Sequence, residues 1–161
     1  MLIKKEYYLD LIKDYKNELK PEDKFIFKYE IDQVNKLELF IKEASEKLNS
    51  KIYNCSMGDN DYLQRFIYGI YNSMAVVTNS FHGVIFSLIF NKPFVAFNLN
   101  TRGNERFNTL RDVYCLGSRI FDTNEIPDIS LITIPLEINR TKIDELINKS
   151  NVFLKKNLNI S

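Results

Sequence analysis

Apolar residues follow two different spacings along the chain, and the two spacings alternate. Between Tyr7 and Leu19 they recur every three to four positions, which is typical of an amphipathic helix. Short runs of aromatic and β-branched residues, such as residues 25–29, are typical of strands. The pattern predicts helices with apolar faces over 7–19, 34–48, 63–70, 84–90 and 105–114 and strands over 25–29, 51–54, 74–78, 94–97 and 119–121. Strands that alternate with helices predict an α/β fold with a doubly wound, Rossmann-like parallel sheet.

Polar residues mark the expected starts of several helices. Asp32 is expected to cap the second helix, and Asp59 or Asn60 the third, because short polar side chains accept hydrogen bonds from free N–H groups there. Thr141, with Asp144 three residues on, resembles a capping box with Asp in place of Glu. We therefore expect a last helix to begin near residue 141.

Composition narrows the class of protein. The chain has 161 residues, which suits one domain or one domain with an appendage, and its 45% hydrophobic and 27% charged residues are typical of globular proteins. The formal net charge is +1, so no overall field attracts nucleic acid. The longest clean apolar run, 83–90, is far shorter than the about 20 residues that cross a bilayer. We expect a soluble protein with no nucleic-acid partner and no transmembrane segment.

Metal ligands and cofactor motifs are scarce. Cys55 and Cys115 belong to no CxxC pair, and His82 is the one histidine of the chain, so a Cys/His zinc site lacks its usual four ligands. We interpret the cysteines as thiols in a reducing cytoplasm. No predicted strand is followed by a Gly-x-Gly-x-x-Gly or Walker motif, so the sequence predicts neither a metal nor a bound cofactor.

The turn after the most apolar predicted strand carries the first candidate chemistry. Its residues are Asn79, Ser80, Phe81, His82 and Gly83. Ser80 is a favourable helix cap, Gly83 permits close approach of a ligand or backbone, and the histidine would stand near the positive end of a helix dipole. This combination suits a phosphate or carboxylate. The alternative is a plain cap whose histidine bonds a neighbouring carbonyl.

The loop after the next strand, residues 98–107, holds two arginines, Arg102 and Arg106. Arginine recognises carboxylate and phosphate through two parallel hydrogen bonds. The alternative is a solvated loop in which Glu105 pairs with one of them. Because ligands bind beyond the carboxyl ends of parallel strands, both loops are expected at one edge of the sheet, where histidine and arginine could share one anion.

Two stretches make the sequence recognisable. Residues 73–94, SMAVVTNSFHGVIFSLIFNKPF, followed by residues 102–110, RGNERFNTL, resemble the C-terminal half of the polysaccharide pyruvyl transferase family. The resemblance extends from about residue 24 toward the last predicted helix. Asn79 stands where the family commonly has Asp, so a carboxylate is lost at that position.

The resemblance implies a fold and an activity. Family members have a glycosyltransferase-B-like architecture and move pyruvate from phosphoenolpyruvate onto two sugar hydroxyls. The product is a ketal on a cell-surface polysaccharide or its lipid-linked precursor. By this resemblance His82 is a donor ligand and general acid, and the candidate donor contacts are Asn79, Ser80, Gly83, Arg102 and Arg106. Phosphoenolpyruvate enters as a substrate, and no cofactor is implied.

The resemblance also implies a division of the chain. Residues 1–22 would form an N-terminal helix that links domains, and residues 23–161 a Rossmann-like donor-binding domain. The acceptor half would be a missing N-terminal half or a partner chain, so the 161-residue chain is expected to be inactive alone. The expected location is the cytoplasm, with the inner face of the membrane as one option.

Two other functions stay open at this point. One is half of a nucleotide-sugar glycosyltransferase of the same architecture, in which the histidine turn would grip a nucleotide phosphate. The other is a non-catalytic domain that binds an anion or a partner.

Overall fold

A computed structural model describes residues 5–20, 22–56, 58, 60–99 and 104–136. Its centre is a sheet of five parallel strands in the order β2-β1-β3-β4-β5. The strands are β1 Phe25–Tyr29, β2 Lys51–Asn54, β3 Ala75–Thr78, β4 Phe94–Asn98 and β5 Ile120–Asp122. The predicted α/β fold with a Rossmann-like parallel sheet is confirmed.

Helices connect the strands on both faces of the sheet. They are α1 Lys5–Asp10, α2 Asn35–Leu48, α3 Tyr62–Asn72, α4 Phe81–Phe90 and α5 Asn104–Val113. Two short 3₁₀ helices follow, at Gly117–Arg119 and Ile129–Ile132. No helix within the described ranges is long and apolar enough to cross a bilayer.

The sheet divides the core into two layers because side chains alternate across each strand. On one face Phe25 and Phe27 pack with Phe66 and Ile67 of α3, and α1 and α4 add to the same cluster. On the other face Ile26 and Val77 belong to a cluster formed largely by α2, whose buried residues are Leu37, Phe40, Ile41 and Ala44. Burial on both faces explains why these strands form continuous apolar runs in the sequence.

The first helix is shorter than its apolar spacing predicts. The spacing extends to Leu19, but α1 ends at Asp10 and turns follow through residue 14. Residues 15–20 leave the helical path because their groups bond to distant elements: Tyr15 OH donates to Asp61 at 2.5 Å, and Tyr68 OH donates to the carbonyl of Leu19 at 2.5 Å. That residues 1–22 link this domain to another stays a prediction.

Several helix starts also differ from prediction. The N-cap of α2 is Val34, not Asp32, and that of α3 is Asp61, not Asn60; neither makes a side-chain cap hydrogen bond. Leu63, predicted to face the core, is exposed. Asp59 and the predicted last helix near residue 141 lie outside the described residues.

Candidate functional site

The candidate site is a cavity of about 390 Å³ at the carboxyl edge of the sheet. Three loops border it, because β1 is followed by α2, β3 by α4 and β4 by α5. Its lining residues are Ile31, Asp32, Asn79, Ser80, Phe81, His82, Leu99, Arg106 and Phe107. The structure thus brings together four of the six residues singled out from the sequence. Of the other two, Gly83 is a buried residue of α4 that does not line the cavity, and Arg102 is outside the described residues.

Ser80 occupies the N-cap position of α4, but its side chain does not cap the helix. Its hydroxyl is buried, the residue being 1% exposed, and has no hydrogen-bond partner within the described part of the chain. Leaving a buried polar group unpaired costs about 1–3 kcal/mol. Because Ser80 also lines the cavity, its hydroxyl is a candidate hydrogen-bond donor to a ligand there.

Thr78 fixes the backbone at the point where β3 ends and α4 begins. Its Oγ1 donates to the carbonyl of Tyr29 at 2.5 Å and accepts from the N–H of Ser80 at 3.0 Å. A Cβ built on Gly83 would overlap this Oγ1. Glycine is thus required for α4 to pack against the end of β3, which is a structural reason for the residue independent of any ligand.

Asn79 is 4% exposed and joins two of the three loops at the cavity. Its Oδ1 accepts from the N–H of Ile31 at 2.8 Å, and its Nδ2 donates to the carbonyl of Asp32 at 2.6 Å. The amide group therefore holds the β1–α2 loop against the start of α4. Its predicted contact with a donor substrate stays a prediction.

His82 stands in the first turn of α4, as predicted, and its side chain is exposed. Arg106, in the first turn of α5, is also exposed, and its guanidinium carbon lies 5.9 Å from the centre of the Phe81 ring. The His82 ring lies 6.1 Å from the same ring at an angle of 77°. A cation over an aromatic face gains about 0.5–1 kcal/mol at an exposed position. Phe81 thus lies close to both polar side chains in the lining of the cavity.

Asp32 and Ile31 were not predicted to line the site. The sequence pattern placed Asp32 at a helix cap, but the helix begins later and leaves the residue in the lining of the cavity. The available signal was its position soon after the end of β1, at the edge where ligands bind in parallel sheets.

The match to a known family includes most of this site. The model of the family described as polysaccharide pyruvyl transferase matches residues 2–101. This range is more than half of the chain, contains β1 to β4 and the turn with His82, and ends before Arg106. It begins 22 residues earlier than the resemblance suggested, so it includes α1. No curated protein and no solved structure matches the chain.

Proposed function

The chain belongs to the polysaccharide pyruvyl transferase family, and we propose that its cavity binds phosphoenolpyruvate, whose pyruvyl group is transferred to a sugar as a ketal. The acceptor is a saccharide or a lipid-linked oligosaccharide, and the place of reaction is the cytoplasm. The family supports pyruvyl transfer in polysaccharide biosynthesis; the donor and the ketal are part of the proposal.

The observation that carries the proposal is the unpaired Ser80 hydroxyl at the start of α4. The helix has ten residues, and its first N–H groups and dipole favour an anion at this end. Ser80 adds a hydroxyl donor, while Arg106 adds a planar cation at the mouth of the cavity. Phosphoenolpyruvate carries both a phosphate and a carboxylate, which suits two anion-binding groups. Arg102 remains a proposed second cation.

The reaction assigns a proton to His82. Two hydroxyl oxygens of the sugar form bonds to C2 of phosphoenolpyruvate, the bond from C2 to the phosphate oxygen breaks, and the methylene carbon gains a proton to become methyl. The two hydroxyl protons account for the proton that the methylene gains and for the one that leaves with inorganic phosphate. Imidazole exchanges protons near neutral pH, so His82 delivers the methylene proton in this proposal.

A second protein unit that closes the cavity is part of the same proposal. His82 and Arg106 are exposed, whereas proton transfer to carbon and alignment of two substrates benefit from a site that excludes water. We therefore propose that a second Rossmann-like unit closes the cavity in a glycosyltransferase-B-like arrangement. The isolated chain would then bind the donor without turning it over.

Calorimetric titration of the 161-residue chain with phosphoenolpyruvate tests the donor assignment. We expect binding, and we expect Ser80→Ala to weaken it about tenfold because a hydrogen bond to an anion is worth about 1.5 kcal/mol. The thermal midpoint should hold or rise, because the variant removes an unpaired buried hydroxyl. Ser118→Ala, at an exposed serine, is the matched control. Tighter binding of UDP-glucose than of phosphoenolpyruvate would favour the glycosyltransferase alternative.

A further inference from the structure

Asp32 is the acidic residue among those that line the cavity. Its side chain is exposed, and its carboxylate has no ion pair or hydrogen bond with the described part of the chain. Glu30, which also follows β1, is different because its carboxylate pairs with Lys28 at 2.9 Å. Of these two neighbouring acids, one is used by the fold and the other faces the site.

Asn79, in the turn that carries His82, fixes the backbone at Asp32. Asn79 bonds the carbonyl of Asp32 and the N–H of Ile31, so the loop cannot move away from α4 without breaking both bonds. The backbone of Asp32 is therefore fixed in the cavity that Ser80 and His82 also line. The fold places a negative charge beside an anion-binding helix start, although that charge opposes the binding of an anion.

We propose that the Asp32 carboxylate binds a hydroxyl group of the sugar acceptor. The inference rests on the proposed function of the same site and adds its acceptor side. A carboxylate accepts hydrogen bonds from neutral hydroxyls and repels phosphate and carboxylate. The cavity of this chain then has two sides. The start of α4 and Arg106 bind the anionic donor, and Asp32 binds the polyhydroxyl acceptor. The repulsion also keeps the donor at the α4 side.

The first measurement uses the donor alone. Asp32→Asn removes a like charge without a change in size, so phosphoenolpyruvate should bind about two- to fivefold more tightly at low salt, with the gain shrinking in about 0.5 M NaCl. Asp112→Asn removes the same charge from an exposed position in the last turn of α5 and should leave the affinity unchanged. An unchanged or weaker affinity for Asp32→Asn overturns the proposed repulsion.

The second measurement uses methyl glucoside, methyl galactoside and methyl mannoside as acceptor probes. Saturation-transfer NMR with phosphoenolpyruvate present should detect binding of at least one glycoside to the native chain and to Asp112→Asn. It should detect no glycoside binding to Asp32→Ala. Absence of any signal on the native chain, or equal signals on Asp32→Ala, overturns the assignment of Asp32. The Asp32 side chain is exposed, so the thermal midpoints of these variants should agree.

Failure of this inference is distinct from failure of the proposed function. If the native chain does not bind phosphoenolpyruvate, the proposed function fails whatever Asp32 does. If phosphoenolpyruvate binds but glycoside binding does not depend on Asp32, only the acceptor assignment fails.

Discussion

Two polar regions of this domain differ in whether their polar groups have hydrogen-bond partners. One is a tyrosine cluster that joins the N-terminal segment to α3 and β2, and it consists of Tyr15, Tyr53 and Tyr68 with Asn17 and Asp61. Its hydroxyls are paired: Tyr15 donates to Asp61, Tyr53 accepts from Asn17, and Tyr68 donates to a backbone carbonyl. Burial is the first cause that raises the pKa of all three phenols, which keeps them protonated.

Several polar groups of the cavity are unpaired or exposed instead. Ser80 leaves a buried hydroxyl unpaired, Asp32 leaves a carboxylate unpaired within the described residues, and His82 is exposed. Unpaired buried groups oppose stability, whereas paired ones support it. The tyrosine cluster supports the fold, and the contrast with the cavity supports our proposal that the cavity binds a ligand.

The largest expected effect lies at the cavity. His82→Ala and Arg106→Ala should each weaken phosphoenolpyruvate binding about 10- to 150-fold, because a charge-assisted contact is worth about 1.5–3 kcal/mol. Both side chains are exposed, so the thermal midpoint of each variant should equal that of the native chain. Arg106→Lys keeps the charge but loses the planar fork, and full binding by this variant would show that bidentate recognition is wrong. Calorimetry and thermal melting measure the two quantities.

Gly83→Ala should lower both the stability of the fold and the affinity of the site. The added methyl group overlaps Thr78 Oγ1, so the free energy of unfolding should fall by about 1–3 kcal/mol while donor binding also weakens. Gly117→Ala is the control, because nothing lies within 4 Å of a Cβ built there. Denaturant unfolding together with calorimetry measures both effects. A stability equal to that of the control would contradict the packing argument.

Tyr15→Phe should change stability alone. Loss of the bond to Asp61 should lower the free energy of unfolding by about 1–2 kcal/mol without an effect on phosphoenolpyruvate affinity. Denaturant unfolding and calorimetry measure the two quantities. Tyr7→Phe, at a tyrosine that is 64% exposed, should change neither. A loss of donor affinity in Tyr15→Phe would mean that the two regions are coupled.

Much of the framework could be predicted from the sequence. The strands at 25–29 and 51–54 have the predicted bounds, β3 and β4 differ from prediction by one residue at one end, and β5 is shifted by one residue. The prediction worked for β1, β3 and β4 because strands buried on both faces are short, mostly apolar runs, a pattern carried by neighbouring residues. The placement of His82 at the start of a helix followed from the same local pattern.

Helix starts were harder to predict because a capping residue type is only a local preference. Ser80 occupies the N-cap position of α4 without a side-chain cap hydrogen bond, and α2 begins after Val34, which leaves Asp32 outside the helix. The apolar spacing at 7–19 is compatible with a longer helix, but Tyr15 and Leu19 gain partners on or beside α3 that a helix would not reach.

The order of strands and helices, the apolar runs that fill the core and the turn that carries His82 can all be predicted from the amino-acid sequence. The pairing of polar groups can be seen only once the chain is folded. Asn79 and Ile31 are 48 residues apart, and Tyr15 and Asp61 are 46 apart, so no local pattern records that they meet. A local run of side chains sets burial and secondary structure, whereas hydrogen-bond partners depend on how distant segments pack. For that reason the unpaired Ser80 hydroxyl and the Asp32 carboxylate became visible only in the fold.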